Sequence, residues 1–270
     1  MKKTLLCLII STLLIHASCG AKLPIQGVES EYTPPISSAP LDSATSPFWD
    51  TSGVDVSYIS KTRKLIAFTF DDAPSRYLEN LLAVFAAFNE TNPDCVATAT
   101  IFYNSVKFSS DTPTLLQETL SLGFELGNHT HSHFDLTTLN EKELQAEIDK
   151  ADALLERADG KKRHLLRAPF GRTNDLVKAT AKTPLIDWTI DTRDWTGASV
   201  DEIYNRVISN LFDGAIVLMH DGYGNTVSAL KRLLPDLKKQ GYQVVSVSAL
   251  AKMHHCTMRK GGVYIRLRPQ

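Results

Sequence analysis

The sequence predicts an α/β protein, built on a parallel sheet or a (β/α) barrel, and three observations carry that reading. From Lys64 onward, short β-rich runs alternate with helix-length amphipathic stretches, the signature of strand–helix–strand units. Seven strand-like runs can be counted, one fewer than a closed eight-stranded barrel uses. Residues able to do chemistry recur just after these runs, where such folds assemble their sites.

The elements follow in order. Met1-Lys2-Lys3 and the apolar run from Thr4 to Ile15 read as the n- and h-regions of an export signal, residues 1–19. Ala17-Ser18-Cys19 resembles a bacterial lipobox, although His16 stands where an apolar residue is usual; Cys19 would then carry a lipid anchor. The apolar run is shorter than the roughly 20 residues needed to span a bilayer, so a membrane association through Cys19 alone is expected. Residues 20–62, rich in Pro, Ser, Thr and Gly, read as a flexible tether.

The body then occupies residues 63–270. Its strand candidates are 65–70, 96–102, 124–127, 165–167, 185–188, 216–219 and 243–247. Helix candidates lie at 77–89, 112–122, 140–158, 174–182, 200–211 and 226–240, the third opening on Asn140 with Glu143 three residues later, a capping-box pattern. Of four cysteines only Cys95 and Cys256 fall in the body; an exported compartment permits their pairing, and the sequence leaves it open. The tail from about residue 251, with His254-His255, has no assignable role.

Composition excludes some classes. The 270 residues carry 29 Lys+Arg against 30 Asp+Glu, a net charge of −1, which lacks the basic surplus of a nucleic-acid binder. Apolar residues at 43% and charged residues at 22% fit a globular protein, not a disordered one. The balance suits a neutral partner better than a polyanion, and a monomer is expected.

The chemistry lies in the residues that follow the strands. His129, His131 and His133 crowd into five positions after the third strand. On a helical turn His129 and His133 would share one side; on an extended segment all three would face the same way. Asp71-Asp72 leave the first strand together, and two adjacent buried carboxylates would repel unless one bound a cation and the other stayed free to take a proton. Two His and one Asp make a three-ligand set with positions open for water and substrate. Arg167, Asp191, Asp194 and His220-Asp221 follow later strands.

Five motifs in this order resemble the polysaccharide deacetylases with a NodB-homology domain (carbohydrate esterase family 4). They are Thr69-Phe70-Asp71-Asp72, His129-Thr130-His131-Ser132-His133, Arg167-Ala168-Pro169-Phe170-Gly171, Asp191-Thr192-Arg193-Asp194-Trp195 and Leu218-Met219-His220, spanning roughly residues 64–250. The resemblance implies a distorted (β/α)7-type barrel and a metal-dependent deacetylase. It implies Asp72, His129 and His133 as metal ligands, with His131 at a variable position. Asp71 would be the general base, oriented by Arg167, and His220 the general acid, paired with Asp194. Trp195 and Leu218 would wall a pocket for the acetyl methyl, and the Phe170 N–H would help hold the oxyanion. Zinc is the expected ion, with Co2+ or Ni2+ as alternatives.

Two positions depart from the family pattern. Ala73-Pro74 follow the Asp pair where Gly is usual, and Phe170 stands where Tyr is common. The expected substrate is N-acetylglucosamine in peptidoglycan or a chitin-like glycan. Acetylxylan, a non-catalytic glycan-binding role and hydrolysis of a small cyclic amide are the alternatives.

Overall fold

The computed structural model describes residues 46–270; the expected export signal, Cys19 and most of the expected tether lie outside the described residues. In chain order the elements are β1 (Lys64–Ala73), α1 (Leu78–Thr91), β2 (Thr100–Tyr103), α2 (Thr112–Ser121), β3 (Glu125–Asn128), α3 (Glu141–Asp159) and α4 (Asp175–Thr180). They continue as β4 (Leu185–Ile186), β5 (Ile190–Asp191), α5 (Val200–Ile208), β6 (Ala215–His220), α6 (Gly224–Lys239), β7 (Tyr242–Val245), α7 (Val247–Met253) and β8 (Val263–Tyr264).

The named strands pair in parallel, in the order β3-β2-β1-β6-β5. β1 is ten residues long and shares its other edge between two partners: β7 along Lys64–Ala67 and β2 from Thr69 upward. That split edge distorts the barrel. Closure runs through Leu166, which bridges Asn128 on one side and Leu185 on the other. The expected strand at 165–167 is therefore a single bridging residue, after which Pro169 and a positive-φ Phe170 turn the chain away. The run expected at 185–188 is interrupted as well, and pairing resumes at β5.

Alternation along β1 aims the site. Ile66, Phe68 and Phe70 belong to the outer core beneath α1 and α6, while Leu65 and Ala67 belong to the inner cluster with Phe102, Leu165, Ile186 and Ile216. Since side chains alternate faces along a strand, Thr69 and Asp71 continue the inner row to the C-terminal mouth. Gly127 makes room there. A Cβ on it would lie 2.5 Å from the Phe102 ring, and that ring packs on the Arg167 guanidinium.

All six expected helices form, and the Asn140–Glu143 capping box closes reciprocally at 3.1 Å in both directions. α7 occupies residues the sequence left to the last strand and the tail. Residues 46–62, which composition reads as the end of the tether, pack on the body. Trp49, Val54, Val56, Tyr58 and Ile59 join the inner cluster, and the Tyr58 hydroxyl lies 2.8 Å from Thr98 Oγ1. A handful of large apolar side chains, diluted by polar neighbours, escaped the compositional reading. The tail is also seated, with His254 Nδ1 donating to Leu267 O at 2.6 Å and Leu267 buried. Cys95 and Cys256 are both free thiols.

Candidate active site

Loops leaving the sheet at one end build a pocket of about 420 Å³ lined by Asp71, Asp72, His129, His133, Trp195 and His220 among others. Phe170, Gly171, Leu218, Trp188 and Asp191 complete its wall. The backbone is strained where it meets this pocket. Asp72, Thr130, His133, Phe170 and Arg193 adopt positive φ, leaving only His255 elsewhere among the described non-glycine residues. Such conformations cost about 1–3 kcal/mol each and persist where surrounding structure imposes them. At the Asp pair the left-handed residue is Asp72 itself (φ 70°), so Ala73 is spared; it is followed by a cis bond to Pro74.

One donor atom from each of Asp72, His129 and His133 lies within 4.8 Å of the others. Asp72 Oδ1 is 3.4 Å from His133 Nε2 and 4.0 Å from His129 Nε2. Bonds of roughly 2.0–2.2 Å place two ligands of one ion no more than about 4.4 Å apart, so both separations suit a shared cation. His129 Nδ1 donates to Arg167 O at 2.8 Å, which leaves the Nε2 lone pair facing the cluster. Burial is the largest influence on Asp72 and opposes its ionisation. The charges of His129, Lys107, His133 and His220 outweigh it and hold the carboxyl below its ordinary value. His133 is pushed down, by burial first and then by His129, which favours the neutral imidazole a metal needs. His131 is turned aside, its Nδ1 2.9 Å from Ser105 Oγ.

Asp71, buried, accepts from Arg167 Nη1 at 2.8 Å. Arg167 is itself fully buried, and donates also to Thr69 Oγ1, Ile186 O and Asp187 O, so four of its five N–H groups are used. Its guanidinium lies over the rings of Phe102 and Trp188, 4.3 and 5.6 Å from their centroids. A charge this buried is tolerable only when so thoroughly partnered.

Across the pocket, His220 Nδ1 lies 2.7 Å from Asp194 Oδ1, and Asp194 Oδ2 accepts from the His220 N–H and from Thr226 Oγ1, each at 2.7 Å. Burial alone would lower the His220 pKa; the bond to Asp194 and the charges of Asp71, Asp194 and Asp72 raise it instead. The pocket thus holds a metal-ligand cluster, a carboxylate fixed by an arginine and an imidazole fixed by a second carboxylate.

The polysaccharide deacetylase family model matches residues 59–185. A peptidoglycan-N-acetylglucosamine deacetylase of Bacillus cereus is 37% identical over 207 residues, covering 73% of this chain and 92% of that protein. The chain belongs to the polysaccharide deacetylase family.

A bifunctional xylanase/deacetylase of Pseudobutyrivibrio xylanivorans is 32% identical over 72% of this chain, which spans 31% of that longer protein. Among solved structures, the peptidoglycan deacetylase PdaC of Bacillus subtilis matches with a TM-score of 0.67 and 30% identity, covering 73% of this chain and 94% of that one. As a polysaccharide deacetylase with an intact Asp–His–His triad, the protein is a metal-dependent enzyme.

The structure also brings in residues that the motifs left unassigned. Lys107 donates to Asp72 O at 2.8 Å and lies 3.7 Å from its carboxylate. Glu147, buried on α3, accepts from the His131 N–H through its carbonyl and from the Ser132 N–H through its carboxylate, clamping the histidine loop. Asp221, fully buried, accepts from Ser75 N at 2.7 Å and so staples the turn after β1 to the end of β6. Burial pushes the Asp221 carboxyl up to about 6. Asp187 behind Arg167 is raised to about 6 by burial, against the pull of Arg167. Adjacency to His220 was the sole sequence signal for Asp221; Lys107 and Glu147 lie far from every motif. A larger apolar hollow of about 810 Å³ between α1 and α6 has only Lys231 and Tyr77 as ionisable lining, so the smaller pocket, with its three aspartates and three histidines, holds the chemistry.

Proposed function

We propose that this enzyme removes N-acetyl groups from N-acetylglucosamine units of peptidoglycan or a chitin-like glycan. The observation that carries the reading is the placement of two oppositely prepared groups, Asp71 with its arginine and His220 with its aspartate, around one metal-ligand cluster. Asp72, His129 and His133 would hold the ion, and zinc fits two imidazoles and a carboxylate best, with Co2+ or Ni2+ as alternatives. A divalent cation bound there supplies Lewis acidity toward the acetyl carbonyl and water.

The chain's own residues do the rest. Asp71 takes the proton from the attacking water, and Arg167 and Thr69 keep its carboxylate aimed. The Phe170 N–H, on its positive-φ turn at the mouth, donates to the oxygen on which charge develops. Trp195 and Leu218 wall the space for the acetyl methyl. His220 gives the proton on Nε2 to the departing amine while Asp194 holds Nδ1–H and stabilises the cation.

The names of the Bacillus cereus and Bacillus subtilis relatives support an amide in peptidoglycan. The Pseudobutyrivibrio relative favours a second reading, O-deacetylation of acetylxylan. Acetate release from chitooligosaccharides, peptidoglycan and acetylxylan, each with added divalent metals, tests the choice; release from acetylxylan alone would overturn the amide reading.

Among the described residues no helix is long and apolar enough to cross a membrane. We place the enzyme in the cell envelope or outside it, with Cys19 as a lipid anchor. Labelled palmitate should enter the protein and not the Cys19→Ala variant; equal labelling of both would remove the anchor.

A further inference from the structure

Asp71, Asp72 and Asp194 each have a basic side chain beside them. Arg167 lies 2.8 Å from Asp71 and His220 lies 2.7 Å from Asp194. For Asp72, apart from the imidazoles that would share its ion, the partner is Lys107, with Nζ 3.7 Å from Oδ1. The first two pairs prepare the base and the acid. Lys107 does neither and lies outside the pocket lining, yet it puts a positive charge beside the very oxygen that would hold a cation.

The position is a built one. Lys107 ends the short turn Ser105–Lys107 after β2. Ser105 N donates to Thr130 O at 3.1 Å and Val106 N to His131 O at 2.9 Å, so the turn is clamped to the histidine loop. Lys107 Nζ donates to Asp72 O at 2.8 Å, which holds the side chain in place although it is 42% exposed. Against burial, the largest influence, His129 and then Lys107 hold the Asp72 carboxyl below its ordinary value.

Such a lysine has two possible roles, with opposite effects on metal binding. As a brace for the Asp72 backbone at φ 70° it would favour binding; as a charge it would oppose it. The brace is redundant. Asp71 is fixed opposite His220 in the β1–β6 ladder, Asn104 N donates to Ala73 O at 2.7 Å, and Asp221 Oδ2 accepts from Ser75 N at 2.7 Å. The chain is therefore tied on both sides of Asp72 without Lys107. The charge is not redundant, because the other cations acting on Asp72 are histidines, and a histidine must be neutral to bind a metal. An ion held on Oδ1 at roughly 2.0–2.2 Å stays within about 6 Å of Nζ. At that separation a single and a double positive charge repel, even in water, by about tenfold in affinity; partial burial strengthens this and salt weakens it.

We propose that Lys107 is a positioning residue: it is the counter-ion of Asp72 in the metal-free site, and it lowers the affinity of that site for a divalent cation. Asp72 is thereby kept ionised and oriented before the metal arrives, and the metal is held less tightly than the three ligands alone would hold it. The proposal rests on Asp72, His129 and His133 as the ligand set and not on the identity of the glycan.

The test measures zinc affinity of the full chain, stripped by chelation, in competition with a chromophoric chelator. Lys107→Met removes the charge at nearly unchanged length, and Lys107→Arg keeps it. Lys107→Met should bind zinc about tenfold more tightly than the wild type, and Lys107→Arg should stay within a few-fold of it. The rise in melting temperature on adding zinc should likewise be larger in Lys107→Met, since tighter binding stabilises the folded state more. A merely structural lysine would move both readouts the other way. Unchanged or weaker binding in Lys107→Met, or equal tightening in Lys107→Arg, overturns the proposal. Asp72→Ala separates the two readings. Zinc affinity unchanged by that substitution would sink the ligand assignment and this proposal with it; affinity weakened by it, with no tightening in Lys107→Met, would sink the role of Lys107 alone.

Discussion

Asp71 stands directly opposite His220 in the parallel pairing of β1 with β6. Register partners in a parallel ladder present their side chains to the same face, so the carboxylate and the imidazole emerge at one height into the same pocket. Each is held from behind by a buried group of opposite charge, Arg167 for Asp71 and Asp194 for His220.

Asp71→Asn should lower kcat for acetate release by about 10²–10⁴-fold, the range for loss of a general base. Asn keeps the size and one acceptor for Arg167. Metal affinity, followed by titration calorimetry, should therefore stay close to wild type. Near-normal turnover would remove Asp71 from the role of base.

The raised pKa of His220 should set the alkaline limb of the pH–rate profile. In its proposed role as the acid, His220 would work in its protonated form, present below its pKa and lost as pH rises through it. Asp194 is its direct partner, so wild-type kcat should begin to fall only above the ordinary histidine value of about 6.5. Asp194→Asn should move that limb to lower pH. A limb that does not move would show that another group carries the leaving-group proton.

Metal binding should depend on Asp72 and not on His131. Exhaustive chelation should abolish activity, and added zinc should restore it. Asp72→Ala should weaken metal affinity by more than about 10-fold, since it removes a direct ligand. His131→Ala should leave affinity within a few-fold, because its ring faces Ser105. Equal losses in the two variants would refute the ligand assignment.

Stability should carry its own pH dependence through His164. This buried ring lies 2.9 Å from Asp152 and 3.2 Å from Asp159. Burial pulls its pKa down, but the two aspartates outweigh that and raise it. The contribution is fully present below the unfolded value of about 6.5 and is lost as pH rises through the higher folded value. His164→Gln should lower stability by about 2–3 kcal/mol at pH 6 and flatten the decline toward alkaline pH. Thermal melts across pH 5–9 check this, and parallel curves for the two proteins would contradict it.

Asn128 shows how much of the site lay outside the motifs. Its side chain donates to Asp152 in that same buried cluster and accepts from the Thr130 N–H, so a network on α3 helps shape the histidine loop. Glu147 acts from the same helix. No spacing rule links residues 128–133 with 147–164, because they meet only when α3 packs back against β3. Elements with long apolar periods, such as α3 and β1, were legible because their patterns are local. The two-residue strands β5 and β8 were not, and β4 was read only as part of the longer run 185–188, since pairs this short are set by neighbours rather than by propensity.

The sequence by itself determined the strand–helix alternation of the body and the five motifs, and their resemblance to the family singled out Asp72, His129 and His133 as the ligand set. These depend on periodicity and on residue type, which the chain carries locally. Tertiary structure decided that Asp71 turns one oxygen to Arg167 and the other to within 3.8 Å of His129, while Asp72 reaches both His129 and His133. The split is made by one positive φ at Asp72 and by a guanidinium arriving from nearly a hundred residues away. Folding also turned His131 aside and packed residues 46–62 onto the body. Backbone conformation and long-range packing govern all of these, and neither is written in any short run of residues.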